Sequence, residues 1–145
     1  MILEACVENL KEAIAAELHG ANRIELCENL HVGGTTPSYG TIFIAKNTLT
    51  IPIMVLIRPR GGNFFYNPQE IEIMKKDIAV CKDLGVQGVV IGALHDDSTI
   101  DIKLMKKLIA YSSPLEITFH KAIDETANIL QECGKLHDLG INRIL

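Results

Sequence analysis

The chain contains no tryptophan, and aromatic residues make up only 5% of it. A stacking platform for single-stranded nucleic acid needs aromatic faces, so that class of function is excluded. Positive charge is short as well: 14 Lys and Arg stand against 18 Asp and Glu, a formal net charge of −4. Non-specific attraction to phosphate backbones or anionic membranes calls for the opposite sign. Long hydrophobic runs are missing. The longest, Ile51 to Ile57, is interrupted by Pro52, whereas a membrane-spanning helix takes about 20 residues. The opening MILEAC carries a glutamate and no basic stretch, so no signal peptide is expected and the expected location is cytoplasmic. None of the four cysteines (Cys6, Cys27, Cys81, Cys133) falls in a C-x-x-C pair. That excludes a zinc knuckle and a thioredoxin-like motif, and reduced thiols are expected in the cytosol.

What is present is a regular alternation. Short β-rich runs are followed by amphipathic helical ones, with no linker or low-complexity segment in 145 residues, a length suited to one domain and one core. Strands are expected at Ile2–Cys6, Arg23–Cys27, Ile53–Ile57, Gly88–Ile91, Leu115–His120 and Asn142–Leu145. Helices are expected at Glu8–His19, Ser38–Asn47, Pro68–Leu84, Asp101–Tyr111 and Thr126–Leu139. Gly20, Gly85 and Gly140 stand where helices should stop. A local echo supports this: Gly20-Ala21-Asn22-Arg23-Ile24 recurs as Gly140-Ile141-Asn142-Arg143-Ile144. Alternating β and α elements imply a parallel sheet with helices outside.

The strands separate a barrel from an open doubly wound sheet. Strands covered on both faces read as continuous aliphatics. Here Ile24 and Leu26 oppose Arg23, Glu25 and Cys27, and Ile117 and Phe119 oppose Glu116, Thr118 and His120. The expected fold is therefore a TIM (β/α)8-type barrel carrying about six strands over residues 1–145, apolar parity toward the helices and polar parity inward. Such an interior is unusually polar, and buried charge is costly unless paired, which points to a site.

Function in such barrels sits at the C-terminal strand ends. Those ends carry Glu4 and Cys6, Glu25 and Cys27, Arg58 and Arg60, the small Gly92, and then His120, Lys121 and Asp124. Arg58 and Arg60 either neutralise Glu4 and Glu25 or, with the amides of Gly61 and Gly62, form an anion pocket. His120 is a structural histidine, a general base or a metal ligand. Asp124 caps a helix or orients that histidine. Residues 33–38 form a turn or a small lid. Cys81 and Cys133 fall within helices and read as core, and the other histidines as surface groups.

The strings ENL-x-x-GGTTPSYG, IRPRGGNFFY and ITFHKAID, in that order between LEAC and INRIL, resemble the CutC family of copper homeostasis proteins. The resemblance implies a TIM barrel, a cytoplasmic homo-oligomer and a copper-linked role, with the rim residues above around the barrel mouth. Asn63 stands where the family often has Asp. The family continues past Leu145 with two more strand–helix units, so the expectation is a piece of a longer protein or a partner over two open edges. The copper reading places Cu(I) on Cys6 and Cys27, whose thiolates suit a soft ion. The alternative is a lyase or isomerase acting on a small carboxylate or phosphate. There Arg58 and Arg60 would hold the anion, Glu25 or His120 would move a proton, and Asp124 would orient the histidine.

Overall fold

The computed structural model describes all residues 1–145. Six strands, β1 (Glu4–Val7), β2 (Arg23–Leu26), β3 (Ile53–Leu56), β4 (Gly88–Ile91), β5 (Glu116–Phe119) and β6 (Arg143–Ile144), pair in parallel in sequential order. Between them run α1 (Leu10–Leu18), α2 (Tyr39–Thr48), α3 (Pro68–Leu84), α4 (Ile102–Ser112) and α5 (Ile129–Asp138). No helix is long and apolar enough to cross a membrane. The sheet curls into a partial barrel. Arg143 at its far edge reaches across the interior to Met54 Sδ of β3 at 3.4 Å, and pairs with Glu116 at 2.7 Å.

Local chemistry fixes the boundaries. Asn67 and Glu70 close a reciprocal capping box at the start of α3, and Gly85, at φ +67°, ends it in a left-handed conformation that costs glycine nothing. Elsewhere the caps trim the expected helices. Asn9 accepts from the Glu12 amide, so α1 starts at Leu10 rather than Glu8. Asn128 caps α5. The expected helix from Thr126 thus starts at Ile129, behind a 3₁₀ turn over Lys121–Glu125. The repeated Asn22 and Asn142 have the same task. Each side chain accepts an amide from the preceding part of the sheet, Leu3 at 2.9 Å and Ile117 at 2.7 Å.

The apolar parity builds the outer core. Ile24, Leu26, Ile53, Val55, Val89, Ile91, Ile117 and Phe119 are buried against the helices in one cluster. The opposite parity faces inward, with one correction to the expected polar lumen: Met54, Leu56 and Val90 form a buried apolar cluster with Cys27. β3 and β4 thus fill the interior while β1, β2 and β5 supply the polar groups.

Gly92 shows how tightly the interior is packed. A Cβ there would strike the imidazole of His120. Gly92→Ala should therefore cost roughly 1–3 kcal/mol of stability, the usual penalty of an overpacked core, read as a lower urea midpoint at unchanged slope.

Candidate functional site

At the C-terminal strand ends lies a cavity of about 220 Å³ whose walls include Cys6, Glu25, Cys27, Arg58, His120 and Lys121. The register explains its first wall. Cys6 on β1 lies opposite Glu25 on β2. Cys27 follows two residues later on the same inward parity, held by its amide to Val7 O at 2.8 Å. The two sulfurs approach to 3.7 Å and share a hydrogen bond between free thiols. Donor atoms of Cys6, Glu25 and Cys27 all lie within 4.8 Å of one another. From sequence, the cysteines are expected as a metal pair and Glu25 as an acid–base group. The structure brings all three into one donor cluster. The signal was in the sequence: Glu25 and Cys27 share parity in IELCE.

The electrostatics of this wall follow from burial and from sharing one proton. Donating to Cys6, together with burial and the Glu25 charge, pushes the Cys27 thiol well up; accepting from Cys27 holds Cys6 below its ordinary value. Burial first, and then the Glu4 carboxylate, raise Glu25. Glu4 itself is paired with Arg23.

The second wall is cationic. Arg58 is 2% exposed, and its guanidinium donates to the backbone carbonyls of Val32 (3.2 Å), Gly33 (3.0 Å), Gly34 (2.8 Å) and Gly62 (2.5 Å). It also stacks over Phe64, 4.7 Å to the ring centre. The arginine thus ties the loop of residues 32–34 to the loop of residues 61–62 over the barrel mouth. Arg58→Ala would leave those carbonyls without their donor, so roughly 3 kcal/mol of stability should be lost, with faster amide exchange in both loops.

The structure corrects two expected partnerships. Arg60 does not line the cavity. Its nitrogens bind Glu70 at 2.6 Å and 3.3 Å, the carbonyls of Gly61, Asn63 and Phe65, and Asn63 Oδ1. Its donors are consumed in bracing the loop onto the start of α3; Gly61 and Gly62 do not line the cavity either, and the Gly62 carbonyl is engaged by Arg58. Asp124 does not orient His120. It is exposed in the 3₁₀ turn, and His120 Nδ1 instead accepts the Ala122 amide at 3.2 Å. A backbone N–H bonded to Nδ1 leaves the ring proton on Nε2.

His120 is 2% exposed and lies against Phe64 (4.8 Å between ring centres) and Phe119 (5.8 Å). Burial, reinforced by the nearby Arg58 charge, lowers its pKa to about 3, so the ring is neutral at physiological pH. Cys81 is a core residue of α3, its thiol pushed up to about 12 by burial, and Cys133 sits half-buried on α5. His19, His31, His95 and His137 are exposed.

Comparison with known proteins agrees with this architecture. A copper homeostasis protein cutC homolog from Homo sapiens is 45% identical over 144 residues, 99% of this chain and 53% of that protein. The chain thus spans about half the length of the curated relatives it matches. A crystal structure bearing the CutC name, from Streptococcus agalactiae, superposes with a TM-score of 0.93 at 40% identity, over 99% of this chain and 71% of that one. A 2,3-dimethylmalate lyase of the PEP mutase/isocitrate lyase superfamily superposes at 0.68, over 99% of this chain and 57% of that one, but is only 10% identical. That likeness is one of barrel fold and carries no argument for a lyase. The model of the CutC family matches residues 1–145, and with the fold, the strand-end cysteines and relatives of this similarity in agreement, the chain belongs to the CutC family.

Proposed function

We propose that the chain binds Cu(I) through Cys6 and Cys27 and serves a cytoplasmic copper homeostasis or trafficking role, as part of a homo-oligomer. The observation that carries this reading is the pair of sulfurs 3.7 Å apart at the rim of the cavity, with Glu25 beside them. Thiolates are soft donors suited to Cu(I), and a carboxylate is a weaker third partner for it. The copper ion is here a cargo. A site with one exposed cysteine and one buried cysteine receives it from solvent and releases it again; the exposed Cys6 is the point of entry.

Protons compete with the metal for both sulfurs. The Cys27 thiol is held well above its ordinary value, by its bond to Cys6 and by burial, so binding costs the loss of a reluctant proton and affinity should rise with pH. The test is competition between the chain and a coloured Cu(I) chelator under anaerobic, reducing conditions. The expected result is one Cu(I) retained per chain, more tightly at higher pH. A chain that surrenders all its copper to the chelator at every pH contradicts the proposal. Light scattering on the same samples tests the homo-oligomer, which a monomer at all concentrations would rule out.

A further inference from the structure

The wall of the cavity facing the thiols has chemistry that a copper pair does not use. Arg58 and His120 are each 2% exposed and both line the cavity, and each keeps a buried nitrogen without a partner: Arg58 Nε and His120 Nε2. Both are donors, because guanidinium has no acceptor and the ring proton sits on Nε2. Buried donors are almost always satisfied, so two orphans on side chains that line one cavity mark it as a place for an acceptor. Lys121 lines the same cavity, its Nζ packed where a Cβ on Gly33 would lie. Phe64, between Arg58 and His120, supplies an apolar floor. Across the cavity, on the β2 side, stands Glu25.

We propose that this wall is an oxyanion subsite, in which Arg58 Nε–H, His120 Nε2–H and Lys121 Nζ hold the carboxylate or phosphate group of a small molecule beside the thiol pair. The donor set differs from a loop pocket built on Arg60, whose nitrogens are spent on Glu70 and backbone carbonyls. It also stands on other residues than the copper proposal. The cavity is thereby two-faced: sulfur and carboxylate on the β1–β2 side, N–H donors and positive charge on the β3–β5 side. A volume of about 220 Å³ fits a molecule of a few heavy atoms and excludes a nucleotide.

The test removes copper from the question by using the metal-free Cys6→Ser/Cys27→Ser chain. Malonate and, separately, inorganic phosphate are titrated in while calorimetry measures affinity and ¹⁵N NMR follows Arg58 Nε–H and His120 Nε2–H. The expected result is saturable one-to-one binding of at least one oxyanion that shifts both resonances. The tighter of the two assigns the class. Lys121→Gln should weaken it roughly tenfold, the worth of one charge-assisted hydrogen bond, whereas Lys107→Gln on the exposed side of α4 should leave it unchanged. The proposal is overturned if neither oxyanion saturates the chain, if binding moves neither resonance, or if Lys107→Gln weakens it as much as Lys121→Gln. Each of those results leaves the copper reading untouched.

Discussion

Serine at both Cys6 and Cys27 is expected to lower Cu(I) affinity by more than the roughly 10–100-fold that loss of an outer supporting residue costs a metal site. Serine keeps the size and the inward direction of each side chain but replaces a soft donor with a hard, protonated oxygen. Glu25 alone then remains of the cluster, and one carboxylate does not retain a soft ion against a chelator. The matched control is Cys81→Ser/Cys133→Ser. Cys81 is fully buried among α3 side chains with a thiol pushed up to about 12, and Cys133 is on α5, away from the cavity walls. That variant should lose stability through the buried Cys81 and keep its copper. Equal affinity in the wild type and both double variants would detach any copper role from the barrel mouth.

Acid should unfold the chain early, and His120 is the reason. In the folded state its pKa is lowered to about 3 by burial and the Arg58 charge, while in the unfolded chain a histidine titrates at about 6.5. Between those values the unfolded state holds a proton that the folded state refuses, so stability rises with pH through the window and is lost as pH falls. The slope approaches about 1.4 kcal/mol per pH unit. Depressed carboxylates such as Glu70 and Glu116, held down by Arg60 and Arg143, act in the same direction only below their unfolded value of about 4.3. Glu25 acts oppositely: its folded pKa is raised, so it favours the folded state most when protonated and that contribution fades as pH rises. Urea midpoints measured across the window should therefore fall with acidity in the wild type, fall more steeply in Glu25→Gln, and flatten in His120→Asn. A His120→Asn curve parallel to the wild type would mean that the ring takes up its proton without unfolding.

Much of this was legible in the residues. α3 and β4 lie where the pattern puts them, because Asn67-Pro68 and Gly85 are unambiguous local signals and Gly88–Ile91 is bounded by glycines. Strand parity correctly sorted Cys6, Glu25, Cys27 and His120 inward, since a period of two leaves no intermediate orientation. The misread parts depend on partners distant in sequence. Nothing around Arg58 says that its guanidinium will be taken by carbonyls 24 to 26 residues earlier. Arg60 beside it, with the same side chain, is captured by Glu70 from the start of the next helix. Asp124 looked adjacent to His120 in sequence, but the 3₁₀ turn carries it outward and substitutes the Ala122 amide. The apolar plug of Met54, Leu56 and Val90 escaped because β3 and β4 are aliphatic on both parities.

Whether sulfur from Cys6 and Cys27 holds the copper is read from X-ray absorption at the copper edge of the Cu(I)-loaded chain. Two sulfur neighbours per copper are expected in the wild type and none in Cys6→Ser/Cys27→Ser. A wild-type spectrum with only nitrogen and oxygen neighbours, or sulfur neighbours that persist in the double serine variant, would contradict it.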